Sequence, residues 1–82
     1  MFEEKRILTI GSEDLRQLCI RHQWFTDGSN SQYEKLFYAL SMKAPFEEIV
    51  TIIWVCSDAD KWCRRDIIDI LMPYSTVMEV ET

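Results

Sequence analysis

Only four residues in this chain interrupt regular backbone structure by their own chemistry: Gly11, Gly28, Pro45 and Pro73. They cut the sequence into segments of helical length, with no linker, low-complexity tract or internal repeat between them. At 82 residues the chain makes one domain. A chain this short buries only roughly 60% of the surface its unfolded form exposes, so several short elements must share one small core. Hydrophobic content of 48%, with three Trp, three Tyr and four Phe, makes such a core attainable and excludes disorder.

Ser12 is placed to cap a helix whose first turn holds Glu13 and Asp14 at the positive end of the helix dipole. Leu15, Leu18, Cys19 and His22 then share one helical face. Thr26-Asp27-Gly28 supplies a turn. Ser29-Asn30-Ser31-Gln32 has the spacing of a capping box, opening a second helix with Tyr33, Leu36, Phe37 and Leu40 on one face and its end near Met42 or Lys43.

Pro45 suits the first position of a third helix, followed by Glu47 and Glu48 in the first turn, with Phe46, Ile49, Val50, Ile53 and Cys56 on one side. The β-branched run from Ile49 to Val55 also fits a buried strand. The start signal and the length from Pro45 to Cys56 favour helix.

Ser57-Asp58-Ala59-Asp60 breaks the chain and offers caps, after which Cys63, Ile67, Ile70 and Leu71 form a fourth stripe that Pro73 stops. Lys5 to Ile10 reads as an extended arm or edge strand, and the tail from Tyr74 to Val80 lies beside it if Val77 and Val80 pack. The expected fold is all-α, a compact single-domain bundle of about four short helices with short extended terminal arms. Its core is expected from Leu15, Leu18, Tyr33, Leu36, Phe37, Leu40, Ile49, Ile53, Ile67, Ile70 and Leu71.

Charge narrows the function. Residues 1–43 carry six positive and six negative groups, whereas 44–82 carry three and eight, so the whole net charge of −5 belongs to the second half. Nucleic-acid affinity rests on Lys and Arg neutralising phosphates, which disfavours it there. Reading the two helices around Asp27-Gly28 as a helix-turn-helix would offer Ser31, Gln32, Lys35 and Arg21, with Lys35 the one positive group on the second helix and Glu34 beside it. Met1 to Arg6 is acidic and mixed in charge with no apolar stretch leading to a small-residue cleavage site, so no secretory signal is expected, and the longest apolar run, Ile49 to Cys56, is far short of the ~20 residues a membrane helix needs. A cytoplasmic protein with no membrane partner is expected, and three cysteines without a Cys-x-x-Cys pair suit reduced thiols there.

Cys19, His22, Cys56 and Cys63 form the sharpest metal hypothesis, a mixed sulfur and nitrogen set for zinc. Helical stripes already explain the three cysteines as buried small hydrophobes, so neither a metal nor another cofactor is expected. Asp58 and Asp60 fail as a calcium loop, because Trp62 and Cys63 fall where a ligand and the turning glycine belong. Cys19 with His22 is better explained as packed core than as a nucleophile and base, and no glycine-rich loop cradles phosphate. A non-enzymatic protein is expected. Its candidate partner-binding residues are the aromatics Trp24 and Phe25 and the acidic set Glu47, Glu48, Asp58, Asp60, Asp66 and Asp69.

The stretch Asp14-Leu15-Arg16-x-Leu18-Cys19-Ile20, then Trp24-Phe25-Thr26-x-Gly28-Ser29-Asn30-x-Gln32-Tyr33-Glu34-Lys35-Leu36, resembles a pattern among small uncharacterised proteins of phages and other bacterial mobile elements. Ile53-Trp54-Val55-Cys56-Ser57-Asp58 is similar too, while the tail after Pro73 lies outside the resemblance. The resemblance implies no established activity and no catalytic residue. It implies an accessory protein acting on a host or element protein. One form of this is an acidic nucleic-acid mimic of the anti-restriction or anti-CRISPR type, and a small DNA-binding regulator is the remaining alternative. A homodimer that completes its core across a two-fold axis is a further option for so short a chain.

Overall fold

The computed structural model describes residues 2–25, 30–57 and 60–81. In chain order the elements are strand β1 (Phe2–Leu8), helices α1 (Ser12–Arg21), α2 (Asn30–Ser41), α3 (Phe46–Cys56) and α4 (Arg64–Leu71), a 3-10 turn (Met72–Tyr74), and strand β2 (Ser75–Glu81).

The four expected helices form, and residues 49–55 are helical, as the start signal at Pro45 favours over their strand-like composition. Their ends differ in detail. Gly11 rather than Ser12 occupies the cap of α1, where its carbonyl accepts the Leu15 N–H at 2.9 Å. Pro45 is the cap of α3 and not its first residue. Helix α4 is capped by Cys63 rather than by the 57–60 stretch: the Asp66 carboxylate accepts the Cys63 N–H at 3.4 Å and its thiol at 3.1 Å. The expected cap at Ser29 lies outside the described residues.

Helices α1 and α2 end in the same way, by a motif that needs neither glycine nor proline. Gln23 and Lys43 each take φ of 54°. After α1, the Gln23 N–H reaches the Ile20 carbonyl and the Trp24 N–H the Cys19 carbonyl, both at 3.1 Å. After α2, Lys43 reaches Leu40 at 3.1 Å and Ala44 reaches Ala39 at 3.0 Å. These are Schellman caps, which satisfy the orphan carbonyls of the last turn.

The chain is not all-α. Its two ends, expected as short extended arms with the first an arm or edge strand and the tail beside it if Val77 and Val80 pack, pair as an antiparallel two-stranded sheet in unbroken register from Phe2↔Glu81 to Leu8↔Ser75. Val77 and Val80 remain 43% and 36% exposed, so the pairing rests on the backbone ladder and not on the side-chain packing anticipated for the tail. A largely helical α+β fold results.

One core unites the helices. Leu15, Leu36, Val50, Ile53, Ile67 and Leu71 are fully buried, joined by Trp24, Cys19, Phe46 and Ile49, and Leu8 at the base of β1 enters the same cluster. Of the expected core, Tyr33, Leu40 and Ile70 only pack against its margin, and Phe37 is half-buried outside it. The ribbon projects from this body. The longest helix has 12 residues, about 18 Å at 1.5 Å per residue, whereas the molecule measures 44 × 23 × 18 Å; a seven-residue strand pair adds about 24 Å.

Candidate interaction surface

At the root of the ribbon, β1 meets the start of α3 and the end of α4 across a groove. Glu4, Lys5 and Arg6 form one wall, and Pro45, Phe46, Glu47, Ile68 and Met72 form the floor and the other wall. The cavity measures about 400 Å³, within the range of sites that hold a small ligand or a few side chains. Phe46 is buried beneath it, Ile68 is half-buried, and Met72 is exposed at its lip. Consecutive residues of β1 line the groove although their side chains alternate between faces, so main chain as well as side chains of the strand border it.

The phase of the ladder identifies which backbone groups that edge offers. The Thr9 N–H donates to the Tyr74 carbonyl at 2.7 Å, one step beyond the Leu8↔Ser75 pair. In an antiparallel ladder hydrogen-bonded and non-hydrogen-bonded pairs alternate. The pairs Ile7↔Thr76, Lys5↔Met78 and Glu3↔Val80 therefore exchange bonds across the ribbon. Glu4, Arg6 and Leu8 turn their backbone groups outward along the free edge of β1, and Val77, Glu79 and Glu81 do so along the free edge of β2.

Specific bonds hold this corner. Arg6 Nη1 donates to Ser75 Oγ at 2.9 Å, and Ser75 Oγ donates to the Met72 carbonyl at 2.7 Å. Across the helices, Arg64 Nη2 donates to the Glu47 carbonyl at 3.3 Å and to Thr51 Oγ1 at 3.2 Å, tying the start of α4 to α3.

The residues singled out from sequence disperse. Trp24 is fully buried and presents no ring to a partner. It is the residue after the αL position of the α1 cap, where an apolar side chain packs back on its own helix. Its indole stacks on His22 at 5.0 Å and meets the edge of Trp62 at 5.8 Å, and its Nε1–H finds no partner among the described residues. Phe25 is half-buried against Tyr33 at 4.7 Å. Glu47 and Glu48 are exposed in the first turn of α3, with Glu47 at the groove. Asp60, Asp66 and Asp69 are exposed, Asp66 serving the α4 cap; Asp58 lies outside the described residues. Lys61, Arg64 and Arg65 are interleaved with these acids in sequence, so the α4 end of the chain is mixed in charge. Ser31 and Lys35 are exposed and Gln32 half-buried on α2, and Arg21 is exposed at the end of α1.

Cys19, His22, Cys56 and Cys63 do not converge: among the described residues no three His, Cys, Asp or Glu side chains are placed to hold a metal ion. Burial pushes the Cys19 thiol up to about 12, with the nearby Cys56 adding to the shift, so it stays protonated and weakly nucleophilic. Burial also raises Cys56, with Lys35 opposing, and raises Tyr33, with Cys19 adding and the Arg16 guanidinium opposing. Arg16 lies over the Tyr33 ring at 5.6 Å.

No helix among the described residues is long and apolar enough to cross a membrane. No protein-family model, curated protein or solved structure matches the chain.

Proposed function

We propose that this protein is a non-enzymatic accessory protein of a phage or mobile element that binds another protein, and that the groove between β1 and the α3–α4 pair receives an extended segment of that partner. The observation that carries the reading is the coincidence, in one groove, of an apolar floor with an unpaired strand edge. Phe46, Ile68 and Met72 offer apolar surface, and the wall formed by Glu4, Lys5 and Arg6 belongs to a strand whose Glu4 and Arg6 backbone groups are left unpaired by the ladder with β2. An incoming strand adds to the edge through its main chain and places an apolar side chain on the floor, the mode in which backbone bonds supply affinity and pockets supply selectivity. Glu4 and Glu47 stand with Lys5 and Arg6 on the walls, two groups of each sign, which favours a segment that carries both signs beside the apolar residue.

The test is affinity capture from the host with the wild-type chain, Met72→Lys, Glu47→Lys and, as a control on α1, Glu13→Lys, each checked for native circular dichroism. The proposal expects one stoichiometric protein that both groove variants lose and the control retains. Capture of nucleic acid without protein, or of a protein held equally by all four chains, overturns it.

A further inference from the structure

The opposite edge of the ribbon has no cover in the fold. Every residue of β2 from Thr76 to Glu81 is exposed, and three of them, Val77, Met78 and Val80, are apolar. Native sheets protect such an edge with charged side chains, lysine above all, with proline, a bulge or a covering element; of these β2 has only Glu79 and Glu81, toward its end. Strand β2 contains neither lysine nor proline, its register with β1 is unbroken, and the sheet has no third strand among the described residues. A two-stranded ribbon that stands out from its domain is also marginal in water by itself.

We infer that β2 pairs with β2 of a second copy of this chain, antiparallel about Met78, to form a four-stranded sheet in the order β1, β2, β2 of the partner, β1 of the partner. Antiparallel neighbours related by a two-fold axis normal to the sheet keep their faces, so a residue can oppose only one of the same parity. The outward backbone groups are those of odd-numbered residues, and the Met78-centred register pairs odd with odd. Val77 faces the partner's Glu79, and Ser75 faces the partner's Glu81. All seven residues of β2 are then matched and no two carboxylates stand opposite each other. On the other face Thr76 meets the partner's Val80 and Met78 meets the partner's Met78, which turns three exposed side chains per copy into one stripe.

Charge favours the same arrangement. Within one ribbon Glu4 lies opposite Glu79, a like-charge pair, and Arg6 lies opposite Val77. In the paired sheet each Arg6 comes onto the same face and the same row as the partner's Glu79, two strand spacings or about 9.6 Å away. The side chains of Arg and Glu span that gap over the intervening Val77. Antiparallel pairing sets the tip of each ribbon beside the root of the other, so the helical bodies stay apart. Residues of β1 and none of β2 line the groove, so the β2 edge is the one used here. Two seven-residue edges make a small interface, at the low end of the specific class, so the dimer dissociates on dilution. The inference stands on the β2 edge alone and is independent of what occupies the groove.

The test is sedimentation equilibrium of the full chain over a concentration series, with Val77→Pro as the variant. Proline at 77 removes an outward N–H and leaves the bonds to β1 in place. Wild type is expected to approach twice the 9.8 kDa chain mass with increasing concentration, and Val77→Pro to remain at the monomer mass. A second measurement does not depend on that variant folding. With Cys56 and Cys63 replaced by Ser, a Met78→Cys chain meets itself across a non-hydrogen-bonded pair at a Cα separation of about 4.5 Å. A Val80→Cys chain is four residues out of register with its own copy, about 13.6 Å, beyond disulfide reach. Oxidation should give covalent dimers of the first and not of the second. A wild-type chain that stays monomeric throughout, or equal cross-linking at 78 and 80, overturns the inference.

Discussion

Raising the pH should invert the stability order of the wild-type chain and its Cys19→Ala variant. The Cys19 side chain is 1% exposed, and its thiol is raised from 9.0 to about 12 in the folded protein, principally by burial. Below pH 9 both folded and unfolded chains hold the proton, and the thiol's contribution is fully present. Between 9 and 12 the unfolded chain releases the proton and the folded chain does not, so stability falls with rising pH by about 1.4 kcal/mol per pH unit. By pH 11 the loss from this one group is on the order of 3 kcal/mol. Truncation to Ala removes only the sulfur and leaves a small cavity, a cost of about 1–2 kcal/mol by analogy with the loss of one buried methyl group. Wild type is therefore the more stable at pH 8 and the less stable at pH 11. Urea denaturation of both chains at the two pH values reads this directly. The raised Tyr33 and Cys56 groups titrate in both and largely cancel in the difference. A stability difference that is the same at pH 8 and pH 11 would refute the buried, proton-retaining thiol.

Two further substitutions test local features of the fold. Lys43 holds φ of 54° at the α2 cap, a conformation that costs a side-chain-bearing residue about 1 kcal/mol; Lys43→Gly should stabilise the protein by several tenths of that, seen as a rise in the midpoint of thermal unfolding. Glu4 and Glu79 oppose each other in the ribbon, and like charges across a strand pair cost about 0.2–1 kcal/mol. Glu4→Lys should recover that and add an attractive pair, raising the midpoint by about 2–6 °C for a domain of this size.

The helices are legible in the sequence because each is specified locally. Leu15, Leu18 and Cys19 repeat at helical spacing, Glu47 and Glu48 follow Pro45, and even the β-branched run in α3 is overruled by its start signal and by the burial of Ile49, Val50 and Ile53. The helix ends are less so. Gln23 and Lys43 adopt the left-handed conformation without being glycine, so nothing in the composition marks them, and Trp24, which follows one of them, reads as an exposed anchor when it is core.

The ribbon is only partly legible: an edge strand with the tail beside it is one reading of the ends, but the condition set for it, packing of Val77 and Val80, is not what joins them. Phe2 pairs with Glu81 and Leu8 with Ser75, partners that lie at opposite ends of the chain and meet because four helices bring the ends together. Each strand alone is short, charged or exposed, and carries no alternation strong enough to announce a partner. The groove has the same origin, since its lining comes from residues 4–6, 45–47, 68 and 72, three stretches that no sequence spacing connects. Of the acidic residues chosen from the pattern that are described, Glu47 alone lines it, because acids in a first helical turn serve the dipole wherever the helix happens to point.

Amide hydrogen exchange along β2 tests both the terminal ribbon and which of its edges is free. At low concentration Thr76, Met78 and Val80, whose N–H groups face β1, should be protected, while Val77, Glu79 and Glu81 exchange freely. As concentration rises, the odd-numbered amides should gain protection and the even-numbered ones should keep theirs. Uniformly fast exchange from 75 to 81 would contradict the ribbon itself, and odd-numbered amides that stay unprotected at every concentration would contradict its pairing with a second copy.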